Sequence, residues 1–112
     1  MEASSTPSPP LGRISIASEA IAQIVAHVTA EAYGVVGMAG RGLSRFRGTR
    51  GIEIGREGDD VIVDLHVVVE YGLNLAEVAS TLRNRVTYEV ERLTGLRVTV
   101  VEVHIEDVRR SA

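Results

Sequence analysis

The segment from Val61 to Tyr71, VIVDLHVVVEY, constrains the fold more than any other. Its apolar residues recur at every second position: Val61, Val63, Leu65, Val67, Val69 and Tyr71. A period of two is that of a β-strand, and a face this apolar must be covered by the core. The opposite face, Ile62, Asp64, His66, Val68 and Glu70, is mixed. Upstream, Ile52 to Arg56 reads as a shorter strand. Glu57-Gly58-Asp59-Asp60 joins the two as a hairpin, which predicts antiparallel pairing.

Downstream, Gly72 turns the chain and Asn74 is placed to cap a helix, with Glu77 three residues on. Between Leu75 and Thr94 the apolar positions are Leu75, Val78, Ala79, Leu82, Val86, Val90 and Leu93, one face of a helix. Gly95 stands where a left-handed C-cap belongs. Val98 to Val108 is the last strand, with Val101, Val103 and Ile105 facing one way and Glu102, His104 and Glu106 the other. Val98 and Val100 have the opposite parity, which predicts a bulge or twist near Val100. A strand-helix-strand unit predicts a right-handed crossover and therefore a parallel neighbour for the long strand.

The N-terminal half adds a second layer. Residues 1–11 hold all three prolines and read as a disordered tail. Arg13 to Ala17 alternates as a short strand, and Ser18 follows as a helix N-cap. From Glu19 to Tyr33, Ile21, Ile24, Val25, Val28 and Ala32 form one helical face, ended by Gly34. Gly34 to Gly51 contains six glycines, four arginines and no acid. Residues 37–51 are expected to form a flexible cationic loop, with a brief extended piece at Val35 and Val36. Residues 109–112 are a short tail. The order β-α-β-β-α-β over residues 12–108 predicts one α+β domain, with both helices packed on one face of a small mixed sheet.

Composition narrows the chemistry. The chain has no cysteine, so disulfides, thiolate metal sites and a cysteine nucleophile are excluded. No window is apolar enough to span a membrane, and the N-terminus lacks the pattern of a secretory signal. The expected location is cytoplasmic, at most peripheral at the inner face of the membrane. Every one of the 12 basic residues is arginine, and the net charge is −3. Gly34–Gly51 carries +4, so the rest of the chain carries −7. This balance argues against nucleic acid as a general partner. Arg41, Arg45, Arg47 and Arg50 remain candidates for binding an anionic surface or nucleic acid.

No Ser-His-Asp set and no G-x-S-x-G can be placed, which points away from an enzyme. His27, one turn from Glu31, reads as a surface pair. Tyr33, Tyr71 and Tyr88 read as edge-of-core residues. The remaining constellation is the mixed sheet face, where Asp64 and His66 share one strand with Val68, and Glu102, His104 and Glu106 share another. Three readings compete: the solvated side of two alternating strands, a metal site, and a docking or dimer surface. The docking reading, carried by Asp64, His66, Val68, Glu102 and His104, outweighs metal. No cofactor is implied.

GRISIASEAIAQIVAHVTAEAYGVVGM and the segment from Gly51 to Val108 together resemble the alkaline shock protein family, the general-stress or envelope-stress-response proteins of Gram-positive and related bacteria. The specific stretches are G-x-I-x-I-A at Gly12–Ala17, V-x-V-E-Y-G at Val67–Gly72 with Asn74, and T-G-L at Thr94–Leu96. The resemblance implies a non-enzymatic stress-response protein that self-associates and binds a protein partner, in some members one anchored in the membrane. Some members are linked to control of acetyl-CoA carboxylase in fatty-acid synthesis. It supplies no catalytic or ligand residues. The proline-rich tail and the arginine-rich gap depart from the family pattern.

Overall fold

A computed structural model of the chain describes residues 14–39 and 49–110. In order, the elements are Ser18–Ala30 (α1), Val35–Met38 (β1), Ile52–Glu57 (β2), Asp60–Glu70 (β3), Leu75–Thr94 (α2) and Arg97–Arg109 (β4). The chain adopts the expected α+β fold, with two helices on one face of a mixed sheet. The tail at residues 1–11 and most of the arginine-rich segment lie outside the described residues.

β3 is the centre of the sheet. β4 pairs with it in parallel along its whole length, from Asp60↔Arg97 to Glu70↔Arg109. A strand has two edges, so both antiparallel partners must share the other one. β2 takes the first half of that edge, Asp60 to Leu65. β1 takes Val67 to Val69. They meet at His66, whose carbonyl accepts from the Ala39 N–H (2.9 Å) and whose N–H donates to the Gly51 carbonyl (2.8 Å). Ala39 and Gly51 therefore meet the sheet at one residue.

Gly51 makes this closure possible. Its φ is +81°, and a Cβ there would run into the carbonyl oxygens of Ala39 and His66. Gly72 also has a positive φ, +100°, yet a Cβ there meets nothing within 4 Å. Gly72→Ala is thus expected to cost only left-handed strain, about 1–2 kcal/mol. Gly51→Ala is expected to cost clearly more. Urea denaturation of the two variants side by side checks this, and equal losses would refute the tight closure.

The inner layer follows the alternation of β3. Val61, Val63, Leu65, Val67 and Val69 are fully buried. Against them pack Ile21, Ala22, Val25 and Val28 of α1 and Val78, Leu82, Val86 and Val90 of α2. Asn74 caps α2 as expected, its Oδ1 accepting from the Glu77 N–H at 3.0 Å. Gly95 closes the helix in the left-handed conformation, its N–H donating to the Glu91 carbonyl at 2.9 Å.

Several expectations are corrected. Residues 14–17 lead into α1 without joining the sheet. They are tied down instead by Arg56, whose Nη1 donates to the Ile16 carbonyl at 3.0 Å. The fourth strand is β1, so Gly37 and Met38 are sheet residues and not loop. Ala17, not Ser18, is the N-cap of α1 and offers no side-chain cap, and the helix ends at Ala30, before Gly34. Tyr71, Leu75 and Leu93 are exposed, because the apolar pattern of β3 and α2 runs past the elements that would cover it. Tyr33 and Tyr88 are likewise exposed. Arg109 belongs to β4, and Arg110 lies over the Tyr71 ring at 5.0 Å, so the end of the chain begins as structure rather than tail.

Candidate functional site

The helices cover one face of the sheet and leave the other to solvent. Which side chains of β4 reach that outer face is decided by a bulge. Val61 pairs with Val98, but Ile62 pairs with Val100, so Thr99 is an extra residue. Continuing the Val61–Val98 register without it would set Val101 opposite Asp64 and Val103 opposite His66. Glu102 and His104 would then point into the core, since a one-residue slip exchanges the faces of a strand. The bulge near Val100 that the sequence predicts thus builds the outer site. A second extra residue, Glu106, separates the Val67↔Ile105 and Val68↔Asp107 pairs.

With this register, Asp64 lies opposite Glu102 and His66 opposite His104. The two imidazoles stack with centroids 4.5 Å apart and planes 10° apart. His66 Nδ1 lies 2.7 Å from Glu106 Oε2. His104 Nε2 lies 3.2 Å from Asp64 Oδ1 and 3.7 Å from Glu102 Oε1. Single ligand atoms of Asp64, Glu102 and His104 all fall within 4.8 Å of one another. These side chains are half-buried to exposed, so the face is hydrated and the pairs are individually weak.

Four of the five residues expected on the docking surface are therefore brought together: Asp64, His66, Glu102 and His104. Val68 is not available there. It faces outward by parity yet is 1% exposed, paired with Gly37 on one side and Asp107 on the other. Glu106 joins them on the outer face, where its parity with Glu102 and His104 puts it. Of the four arginines, Arg50 is exposed in the turn before β2. Arg41, Arg45 and Arg47 lie outside the described residues. His27 and Glu31 form the expected surface pair at 3.4 Å.

The outer edge of β4 has no partner strand among the described residues. An open groove beside its start is lined by Tyr88 of α2 and by Val98 and Val100 of β4.

The sequence profile of the alkaline shock protein 23 family, described as having a cell envelope-related function, matches residues 7–110. This chain belongs to that family. Among the relatives of this chain is the uncharacterised protein YloU of Bacillus subtilis (strain 168), 31% identical over 107 residues, covering 88% of this chain and 89% of YloU. Another is the uncharacterised protein Spy1614 of Streptococcus pyogenes serotype M6, 26% identical, covering 88% of each. Among solved structures, a variant of the MamM CTD superposes with a TM-score of 0.54 at 15% identity, covering 81% of this chain and 98% of that one. A zinc form of another MamM CTD variant gives 0.53 at 18% identity, covering 80% and 85%. At these identities the likeness is one of fold. Among the described residues of this family member, no helix is long and apolar enough to cross a membrane.

Proposed function

We propose that this protein is a non-catalytic module of the bacterial envelope stress response that works by self-association and by holding a protein partner, at the inner side of the membrane. The family's cell envelope-related function supports the setting. The observation that carries self-association is the free edge of β4.

A long unpaired edge is a template for another strand. Here the centre of that edge is self-complementary. In Val101-Glu102-Val103-His104-Ile105, antiparallel pairing about Val103 sets Val101 against Ile105 of a second copy. It also sets Glu102 against that copy's His104. Apolar pairs form on the helix side and opposite-charge or hydrogen-bonded pairs on the outer side. Tyr88 and Val100, 63% and 42% exposed, flank the edge on the same side of the molecule and would be covered by such pairing. The result is one continuous sheet across a two-fold axis, an interface of the isologous type. Its outer face, with two copies of the histidine-carboxylate cluster, is the surface offered to a protein partner.

Size-exclusion chromatography with light scattering tests this. The full chain is expected to run as a dimer, twice its 12.0 kDa mass. Val103→Arg sets two like charges opposite each other at the axis and is expected to give a monomer, as is Tyr88→Glu to a lesser degree. The introduced arginine can extend its stem along the half-buried site, so circular dichroism is expected to be unchanged. A monomeric parent protein, or a Val103→Arg dimer as tight as the parent's, overturns the reading.

A further inference from the structure

We propose that Asp64, Glu102 and His104 form a binding site for one divalent transition-metal ion per chain, with His66 and Glu106 holding its histidine in place. This goes beyond the self-association reading, since all three ligands come from one chain.

The argument begins with the ligand atoms. One imidazole nitrogen and two carboxylate oxygens lie within 4.8 Å of one another, with His104 Nε2 at 3.2 Å and 3.7 Å from its two neighbours. Ligand atoms about 2.0–2.2 Å from a common ion are separated by comparable distances. One nitrogen with two oxygens suits borderline divalent ions such as Zn²⁺, Co²⁺ or Mn²⁺, and an exposed site leaves open positions for water. The chemistry is that of a three-ligand site.

The backbone holds these positions firmly. All three residues stand on paired strands, Asp64 on the central β3 and Glu102 and His104 on β4 beside it, where Asp64 and Glu102 are register partners and His104 is two residues on. A site on strands is held more tightly than one on loops. The ring of His104 is held in orientation by packing against a second imidazole. It lies flat against His66 at 4.5 Å, and His66 is itself held by Glu106 Oε2 at 2.7 Å. The His104 Nδ1 edge plays no part in the pairs with Asp64 and Glu102, both of which are made through Nε2.

Charge argues the same way. Asp64 and Glu102 bring two carboxylates together on a sheet face, beside the Nε2 atom of His104. A divalent cation placed among them neutralises both carboxylates at once and takes the Nε2 lone pair of the neutral imidazole in its Nδ1–H tautomer. The bulge at Thr99 is what keeps Glu102 and His104 on this face. His27, with only Glu31 beside it on an exposed helix, has no such arrangement.

Isothermal titration calorimetry of the chelator-treated full chain with ZnCl₂, CoCl₂ and MnCl₂ tests the site. One ion per chain is expected to bind, with CaCl₂ and MgCl₂ far weaker. His104→Ala and Asp64→Asn are expected to weaken binding at least about tenfold. His27→Ala is expected to leave it unchanged. All three substituted side chains are exposed or half-exposed, so the variants keep the fold. A rise in melting temperature with ZnCl₂ in the parent, absent from His104→Ala, gives a second readout. The Val103→Arg variant, which leaves every ligand in place, is expected to bind the ion as the parent does. That result separates the site from self-association. The proposal is overturned by the absence of saturable heat with all three transition metals. It is equally overturned by unchanged binding in His104→Ala, or by loss of binding in Val103→Arg, which would place the ion between copies.

Discussion

Leu65→Ala is expected to lower folding stability by about 2–5 kcal/mol. Leu65 is fully buried on the inner face of β3. It lies between Ile52 of β2 and Val103 of β4, its register partners on the two sides. It belongs to the same buried cluster as the stripes of α1 and α2, Ile21 and Val25 from one and Leu82 and Val86 from the other. Truncation therefore removes buried methyl groups from the centre of the core. Its strand neighbours Ile52 and Val103 are β-branched and stiff at χ1, so they have little freedom to fill the gap. A domain of this size has a total stability of about 5–15 kcal/mol, so the loss is a large share of it. Urea denaturation followed by circular dichroism measures it as a fall in midpoint at constant slope. A loss below about 1 kcal/mol, the range of ordinary surface changes, would show that β3 is not the centre of the core.

The sequence is a good guide wherever local pattern and tertiary environment coincide. The inner face of β3 was legible because five apolar residues alternate without a break. The phase slip between Val98 and Val101 was legible because it can only be absorbed by an extra residue, and Thr99 is that residue. Asn74 and Gly95 were legible because caps are local. β1 was nearly hidden: a four-residue strand containing Gly37 has too few positions to show a period. Of the strand expected at Arg13–Ala17, residues 14–17 are instead a lead into α1 held through the Arg56 side chain, a long-range contact that local alternation does not show. The exposed ends of the stripes, Tyr71, Leu75 and Leu93, share one cause. Periodicity says which face an element offers, and only the partner's length says how much of that face is covered.

The candidate site divides in the same way. Parity alone put Asp64 and His66 on one face and Glu102 and His104 on another, and the crossover rule made the two faces one. The ring stack and the convergence of three ligand atoms depend on register, and register rests on a bulge. Glu106 shares the parity of Glu102 and His104 and was legible with them; the second bulge shows in the sequence only as the opposite parity of Ile105 and Val108. For the arginines, composition marked a charged excursion, and the structure adds that Ala39 and Gly51 both meet the sheet at His66.

Val68 is the residue on which sequence and structure part most sharply. Substituting it with aspartate is expected to cost about 3–5 kcal/mol, the range for a buried charge left without a partner. A lone valine among Asp64, His66 and Glu70 reads as an apolar contact on a docking face, and on that reading Val68→Asp would spare stability and abolish partner binding. The structure gives the opposite outcome. Val68 is 1% exposed and lies at the junction where Gly37 of β1 and the bulged end of β4 both pair with it. A Cβ at position 37 would lie 3.8 Å from that of Val68, in ordinary contact, so β1 covers Val68 directly. A carboxylate at position 68 would lose its hydration beside Asp107 and Glu70, which carry its own sign. Thermal and urea unfolding of Val68→Asp decide between the two. A large loss of stability, with His104→Ala folding normally as a control on the same face, shows that Val68 belongs to the sheet's packing and leaves Asp64, His66, Glu102 and His104 as the working surface. An unchanged midpoint would return Val68 to that surface and require its covering by β1 and β4 to be loose in solution.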